Sequence, residues 1–195
     1  MKVIGITGGI GSGKSYVCKI IEEMGFAVYY SDKSAKFLMD SNEHVQKELK
    51  RIIGDDAYTL QGLNRELISN KIFSDTTLRQ KMNQLIHPIV REDFEQWKKS
   101  FTDNEFIFNE AAILFETGSY VNYDSVILVY APLKLKIERI KKRDEITEEE
   151  VLKKMKSQWS DEQKMKLTPH HILNDGKKNL RQRISVILDE LSKPI

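Results

Sequence analysis

The sequence predicts an α/β fold in which a five-stranded parallel sheet lies between layers of helices. Five short runs are rich in apolar, β-branched and aromatic residues, and their near-continuous hydrophobicity is typical of strands buried on both faces of a parallel sheet. Helical patterns separate the runs, which indicates crossover connections. The predicted strands are Val3–Thr7, Ala27–Tyr30, Phe106–Asn109, Ser125–Tyr130 and His171–Leu173.

The composition fits one compact protein without a nucleic-acid or membrane partner. The 195 residues are 40% hydrophobic, which is enough for a sizeable core. The net charge of +2 gives no whole-protein field that would attract nucleic acid or a lipid surface. The single cysteine, Cys18, cannot form an intramolecular disulfide, and the first residues lack the pattern of a signal peptide. We therefore expect a cytoplasmic protein.

A glycine-rich loop follows the first predicted strand. The stretch GGIGSGKS satisfies the pattern G-x-x-x-x-G-K-[ST] through Gly8, Gly13, Lys14 and Ser15, and apolar residues at helical spacing follow it, as the motif requires. In such a P-loop, backbone N–H groups and the helix N-terminus bind phosphate, the lysine contacts the β- and γ-phosphates, and the serine hydroxyl binds Mg²⁺. The alternative is a glycine turn that binds nothing. The predicted ATP-binding residues here are Gly8, Gly9, Gly11, Ser12, Gly13, Lys14, Ser15 and Tyr16.

An aspartate, Asp32, comes directly after the second predicted strand. In parallel α/β sheets, ligands bind beyond the carboxyl ends of the strands, where the P-loop also lies. A carboxylate there could accept the proton of an acceptor hydroxyl, or hold Mg²⁺ through water. The alternative is that Asp32 only caps the following helix, because aspartate is a favoured capping residue.

A charged stretch follows the fourth predicted strand. Thr147 and Glu150 have the spacing of a capping box, which predicts two helices with a break near residues 144–146. Arg139 and Arg143 are four residues apart and therefore share a helix face, where they could bind phosphates bidentately. The alternative is a solvated charged face paired with neighbouring carboxylates.

The spacing of the strands also predicts how the chain is divided. About seventy residues separate the second and third strands, far more than a crossover needs. We expect a core formed by residues 1–32, 101–137 and 169–195, an inserted helical domain at 33–100, and a lid at 138–168.

Two further sites have weaker sequence signals. His87 precedes a proline, and a lone histidine is usually structural. Asn174 follows the fifth predicted strand, where its side-chain amide could contact an adenine edge. As a residue before Asp-Gly it equally fits an ordinary turn.

These segments together resemble the dephospho-CoA kinase family, P-loop enzymes that use ATP to phosphorylate the ribose 3′-hydroxyl of dephospho-CoA. The resemblance extends over essentially the whole chain and rests on the segments GITGGIGSGKS, YYSDKSAK, LIHPIVR, AAILFE, RIKKRD and ILNDG, which occur in the family's order.

The resemblance implies roles for individual residues. Asp32 would be the catalytic carboxylate, Arg139 the lid arginine that contacts the phosphates, and Asn174 a neighbour of the ATP adenine, with Arg143 also on the ATP side. Lys14, Asp32 and Arg139 form the predicted catalytic set. The residues expected to border the CoA substrate are Asp32, His87, Arg91, Leu114, Phe115 and Glu116.

The sequence therefore predicts Mg²⁺-dependent phosphoryl transfer from ATP to dephospho-CoA, the last step of coenzyme A biosynthesis. One alternative is another P-loop small-molecule or nucleotide kinase. A second is a nucleotide-dependent switch or assembly ATPase, although the Asn-Lys-x-Asp motif of GTPases does not occur. The expected partners are ATP and dephospho-CoA, and the expected state is a monomer or a weak homo-oligomer.

Overall fold

The computed structural model describes residues 1–177 and 179–193, without the side chains of residues 73 and 74. Its strands are β1 (Lys2–Thr7), β2 (Ala27–Tyr30), β3 (Tyr58–Thr59), β4 (Gly62–Leu63), β5 (Phe106–Glu110), β6 (Ser125–Tyr130) and β7 (His170–Leu173). Its helices are α1 (Lys14–Glu23), α2 (Ser31–Ser41), α3 (Glu43–Ile53), α4 (Arg65–Ser74), α5 (Thr76–Lys98), α6 (Leu133–Asp144), α7 (Glu148–Met155), α8 (Asp161–Met165) and α9 (Leu180–Ser192). The chain divides into two compact units, Met1–Tyr30 with Phe101–Ile195, called the core unit below, and Ser31–Ser100, called the inserted unit.

The core unit contains a five-stranded sheet with the strand order β2-β5-β1-β6-β7. Every neighbouring pair in it is parallel, so the predicted α/β fold with a parallel sheet is confirmed. The predicted strand bounds differ from the observed ones by at most one residue. All five residues of β5 are buried, which explains why its sequence does not alternate between apolar and polar residues.

The two faces of the sheet bury different side chains. Ile4 and Ile6 of β1 belong to the main apolar cluster, together with residues of α1 and α9. Gly5, between them, faces the opposite side, where a Cβ would lie 2.8 Å from the Leu114 side chain. Residues 111, 114, 115 and 126 form a smaller apolar cluster. The sheet is therefore covered on both faces. The P-loop begins directly after the last residue of β1.

The charged stretch after β6 forms two helices, as predicted. α6 ends at Asp144, and the next residue, Glu145, has the left-handed φ of 54°. Thr147 then accepts a hydrogen bond from the Glu150 amide, and Glu150 reciprocates toward the Thr147 backbone, which completes the predicted capping box of α7.

The inserted unit consists of α2 to α5 and a small hairpin, β3–β4. Its apolar cluster is made by residues 45, 49, 53, 57, 68, 82 and 86. Ser34 Oγ donates a 2.6 Å hydrogen bond to Asp93 Oδ2, which joins α2 to α5. The hairpin was not predicted, because strands of two residues are too short to show a period. Among the described residues, no helix has the length and hydrophobicity needed to span a bilayer.

Candidate functional site

The P-loop connects β1 to α1 and is shaped by close contacts with its neighbours. Gly8 lies so near the Val129 carbonyl oxygen that an added Cβ would clash with it. Gly13 has a left-handed φ of 85°, and a Cβ there would clash with the Asn174 side-chain amide. Both positions require glycine for steric reasons, independently of any ligand.

Several backbone N–H groups of the loop are available for an anion. Within the described residues, the N–H groups of Gly11, Gly13, Lys14 and Ser15 have no hydrogen-bond partner, and no side chain caps the start of α1. Unpaired donors at the N-terminus of a helix are a binding site for phosphate, because the helix dipole also favours negative charge there. The arrangement is that of a phosphate cradle.

Lys14 lies beside a buried carboxylate. Its Nζ atom is 3.6 Å from Glu110 Oε1, and the two side chains are 12% and 7% exposed. Glu110 ends β5, and its register partner is Ile6 of the adjacent β1. The carboxylate holds the ammonium group near the loop, where it can reach phosphate oxygens.

The residues around the loop fit a magnesium ion that is bound mainly by substrate and water. Ser15 is exposed in the first turn of α1 and offers a hydroxyl oxygen. Within the described residues, there is no group of three or more His, Cys, Asp or Glu side chains that could hold a metal ion. Mg²⁺ in kinase sites typically keeps several waters and uses one or two protein ligands plus phosphates, so this donor set is adequate.

Arg139 and Asn174 meet on one side of the loop. Arg139 Nη1 donates to the carbonyl oxygens of Gly11 and Ser12 at 3.3 Å each, and Nη2 donates to Asn174 Oδ1 at 3.2 Å. Asn174 Nδ2 donates to the Ser12 carbonyl at 2.9 Å. The structure therefore brings the predicted lid arginine and the predicted adenine neighbour together on the loop carbonyls.

The Asn174 amide uses both of its ends on protein groups. Its side chain is almost fully buried, and its oxygen and nitrogen are bound by Arg139 and by the loop. Each end of the amide keeps one further hydrogen-bonding position, a second lone pair on Oδ1 and a second hydrogen on Nδ2, so these bonds do not prevent contact with an adenine edge. In this structure Asn174 supports the loop, and its place beside adenine stays a prediction.

Arg143 lies apart from the loop carbonyls and pairs with its neighbour in sequence. Its Nε and Nη2 atoms donate to Asp144 Oδ1 and Oδ2 at 2.6 and 3.0 Å, while its side chain is 61% exposed. The Arg143 hydrogen bonds lower the pKa of Asp144 from 3.8 to about 2. The bidentate pair orients the guanidinium group on the surface at the end of α6.

The turn after β5 is held by buried groups. Leu114 and Phe115 are 3% and 2% exposed and pack in the smaller apolar cluster, so their side chains support the turn rather than offer surface to a ligand. Glu116 Oε1 is 2.8 Å from Lys164 Nζ and accepts a 3.0 Å hydrogen bond from the Trp159 amide.

The comparison with known proteins decides the family. The family model described as CoaE, dephospho-CoA kinase, matches residues 2–179. The chain belongs to the dephospho-CoA kinase family. It is 38% identical over 192 residues to a dephospho-CoA kinase of Bacteroides fragilis, a match that covers 98% of this chain and 94% of that protein.

Solved structures agree with this assignment. A crystal structure from Thermus thermophilus has 30% sequence identity and a TM-score of 0.86, with 98% of both chains covered. The dephospho-CoA kinase from Campylobacter jejuni has 26% identity and a TM-score of 0.68, with 97% of this chain and 96% of that chain covered. The resemblance stated from the sequence and the fold that it implied are both confirmed.

The remaining residues expected from the dephospho-CoA kinase resemblance lie in the inserted unit. Asp32 is exposed in the first turn of α2, and because that helix begins at Ser31, Asp32 is not its N-cap. His87 and Arg91 are four residues apart on α5, so they share one face of that helix. Desolvation lowers the pKa of His87 below its usual value, although the residue as a whole is exposed.

Several buried or half-buried polar residues of this family member were not predicted from its sequence. They are Glu110, Lys136, Gln158, Asp161 and Lys164. For Glu110 a signal existed, since an acidic residue at the end of a strand that begins with three large apolar residues is unusual. The others lie in a charged stretch that is typical of a solvated helix. Of these residues, Lys136, Gln158 and Asp161 line a cleft of about 980 Å³ beside Gly9 and Ile10, together with apolar side chains of residues 149–165 such as Trp159.

Proposed function

We propose that this protein transfers the γ-phosphoryl group of ATP to the ribose 3′-hydroxyl of dephospho-CoA, giving coenzyme A and ADP. The observation that carries the proposal is the set of unpaired loop amides beside Lys14, in a chain of the dephospho-CoA kinase family. The amides and the ammonium group together suit the phosphates of a nucleotide. Membership of the dephospho-CoA kinase family supports dephospho-CoA as the molecule that accepts the phosphoryl group.

Most of the catalysis in this proposal is positioning and charge stabilisation, as in other phosphoryl transfers. Lys14 and the loop amides bind the β- and γ-phosphates. Arg139, which already lies on the loop carbonyls, supplies a guanidinium group to the charge that develops on the transferred phosphoryl oxygens. Mg²⁺, when bound, would offset the negative charge of the phosphates. Ser15 would be its protein ligand.

Asp32 is proposed as the group that orients the 3′-hydroxyl and accepts its proton. The assignment rests on its place in the chain, two residues after the end of β2, and on the family resemblance. An exposed carboxylate can act as a general base once it is hydrogen-bonded to the hydroxyl.

The test is an ADP-release assay on the purified protein with ATP and Mg²⁺. Dephospho-CoA, AMP, CMP, shikimate and buffer are offered separately, and the product is identified by ³¹P NMR as the 3′-phosphate. Turnover is expected only with dephospho-CoA. Turnover with another acceptor would indicate a different small-molecule kinase. ATP hydrolysis that needs a macromolecular partner would indicate a switch or assembly ATPase.

The proposed enzyme acts in the cytoplasm on small molecules and requires neither nucleic acid nor a membrane. It works as a monomer or a weak homo-oligomer. Light scattering after gel filtration, at several protein concentrations and with each substrate, measures the oligomeric state.

A further inference from the structure

The segment between α7 and α8 makes direct contact with the P-loop backbone. Gln158 Oε1 accepts a 2.8 Å hydrogen bond from the Ile10 amide, across 148 residues of sequence. Ile10 lies in the middle of the loop. The conformation of the loop therefore depends on where a distant side chain is held.

Two buried ion pairs fix the position of Gln158. Lys136 Nζ on α6 is 2.7 Å from Asp161 Oδ2, and these side chains are 8% and 10% exposed. Lys164 Nζ, which is fully buried, is 2.8 Å from Glu116 Oε1 in the turn after β5. Gln158 and these two ion pairs are called the clasp below. The clasp attaches its segment to two separate elements of the core unit.

The clasp packs directly against the loop. A Cβ added to Gly9 would lie 3.3 Å from Asp161 Oδ1, 3.5 Å from Lys136 Nζ and 3.8 Å from Gln158 Oε1. Asp161 Oδ1 is itself buried without a hydrogen-bond partner. A buried ion pair is weak evidence for stability, because desolvation offsets most of the Coulombic gain. A role in orientation explains better why these charges are placed against a glycine of the loop.

The loop amide used by Gln158 differs from the amides left open for a ligand. Ile10 donates to Gln158, whereas Gly11, Gly13, Lys14 and Ser15 keep unpaired N–H groups. We propose that Gln158 is a positioning residue for ATP binding, and that the two ion pairs of the clasp hold it against the Ile10 amide. The loop is then preorganised without loss of a phosphate donor, which lowers the cost of binding.

The test compares Gln158→Met, which keeps the side-chain length and removes the acceptor, with the wild type. The control is Gln182→Met, at an exposed position on α9. The affinity for ATP is measured by calorimetry without an acceptor, and hydrogen exchange of the Ile10 amide by NMR. We expect about 3- to 10-fold weaker ATP binding from the loss of one hydrogen bond, and faster exchange at Ile10. An unchanged ATP affinity with a lower melting temperature would overturn the proposal.

Asp161→Asn tests the Lys136–Asp161 ion pair of the clasp. It also provides an independent test of the proposal if Gln158→Met does not fold. It should accelerate exchange at Ile10 and weaken ATP binding in the same direction. The double variant should bind ATP no more weakly than Gln158→Met alone, since both changes act through one hydrogen bond. Fully additive losses, or unchanged exchange at Ile10 in Asp161→Asn, would contradict the proposal. The inference rests on ATP binding by the loop but not on the acceptor, so a failure to phosphorylate dephospho-CoA would leave its test intact.

Discussion

The core unit and the inserted unit differ in what they bury. The buried polar or charged residues of the described chain all belong to the core unit: Thr7, Ser12, Asn109, Glu110, Lys136, Asp161, Lys164, Thr168 and Asn174. The described interior of the inserted unit is apolar. Burying a polar group is costly unless it is hydrogen-bonded or paired. The core unit therefore keeps buried polar groups that are costly to maintain, several of them beside the P-loop. The inserted unit is stabilised by ordinary apolar packing between helices.

The largest expected effect comes from the lysine of the loop. Lys14→Ala should lower kcat by roughly 10³- to 10⁵-fold, the range seen when a transition-state cation is removed from a phosphoryl-transfer site. The variant should stay folded but melt at a lower temperature, since the substitution takes the ammonium group away from the buried Glu110 carboxylate. Turnover and a thermal melt are measured on the same sample, with Lys19→Ala on the exposed face of α1 as the control. A kcat near the wild-type value would remove the P-loop assignment.

Asp32 belongs to the inserted unit, and the proposed function assigns it a chemical step, the acceptance of the hydroxyl proton. Asp32→Asn should lower kcat by roughly 10²- to 10⁴-fold, since an amide cannot accept the hydroxyl proton. It should cost less than about 1 kcal/mol in stability, from the weaker interaction with the start of α2. The control is Asp103→Asn at an exposed turn. A variant that keeps more than about a tenth of the wild-type kcat, against that ~10²-fold minimum, excludes Asp32 as the base.

Arg139 tests whether the core unit needs a guanidinium group or only a charge. In Arg139→Lys, an ammonium group cannot reproduce the fork that reaches Gly11, Ser12 and Asn174 together, so kcat should fall by about 10- to 10²-fold. Arg143→Lys should have a smaller effect, because Arg143 pairs with Asp144 on the surface. The reverse ranking of the two variants would mean that Arg143 is the phosphate-binding arginine.

A substitution in the interior of the inserted unit should lower the free energy of unfolding but leave kcat nearly unchanged. Leu49→Ala removes a fully buried side chain of that apolar cluster, which typically costs about 2–5 kcal/mol. Urea unfolding followed by circular dichroism measures the loss. At low temperature, where the variant stays folded, kcat should remain within about threefold of the wild type, a rate change of less than about 1 kcal/mol. A collapse of kcat without a loss of stability would contradict this separation.

The smallest effect is expected at the Arg143–Asp144 ion pair at the end of α6. Asp144 has its pKa lowered to about 2 by Arg143, so its ionised form stabilises the fold above the unfolded pKa of 3.8 and this contribution is lost as the pH falls toward 2. Asp144→Asn should therefore lower stability at pH 7 by at most about 1 kcal/mol, since Arg143 is exposed. The difference between variant and wild type should disappear near pH 2 in urea titrations.

The sequence predicted the elements whose signals are local. Each strand of the parallel sheet is a largely apolar run, and the Thr147–Glu150 box lies within four residues, so both could be predicted without tertiary information. The β3–β4 hairpin could not be predicted, because its two-residue strands have no periodicity. The P-loop was predicted for the same reason as the strands, since its glycines, lysine and serine are adjacent in sequence.

The unpredicted part of the site consists of partners that are distant in sequence. Lys136 and Asp161 are 25 residues apart, and Ile10 and Gln158 are 148 apart. In the sequence, Lys136, Gln158 and Asp161 lie in a strongly charged part of the chain, and such stretches usually face solvent. Only the fold shows that Lys136 and Lys164 turn inward, because burial of a lysine depends on finding its carboxylate.

The two tryptophans of the chain are divided between the two units. Trp97, in the inserted unit, stacks on Phe94 at a centroid distance of 5.9 Å, whereas Trp159 is 43% exposed and lines the cleft beside the P-loop. A Trp97→Phe variant would therefore keep a single tryptophan, which lies next to the candidate nucleotide site. Its emission wavelength and its quenching by acrylamide would follow events at the cleft in real time without an attached dye.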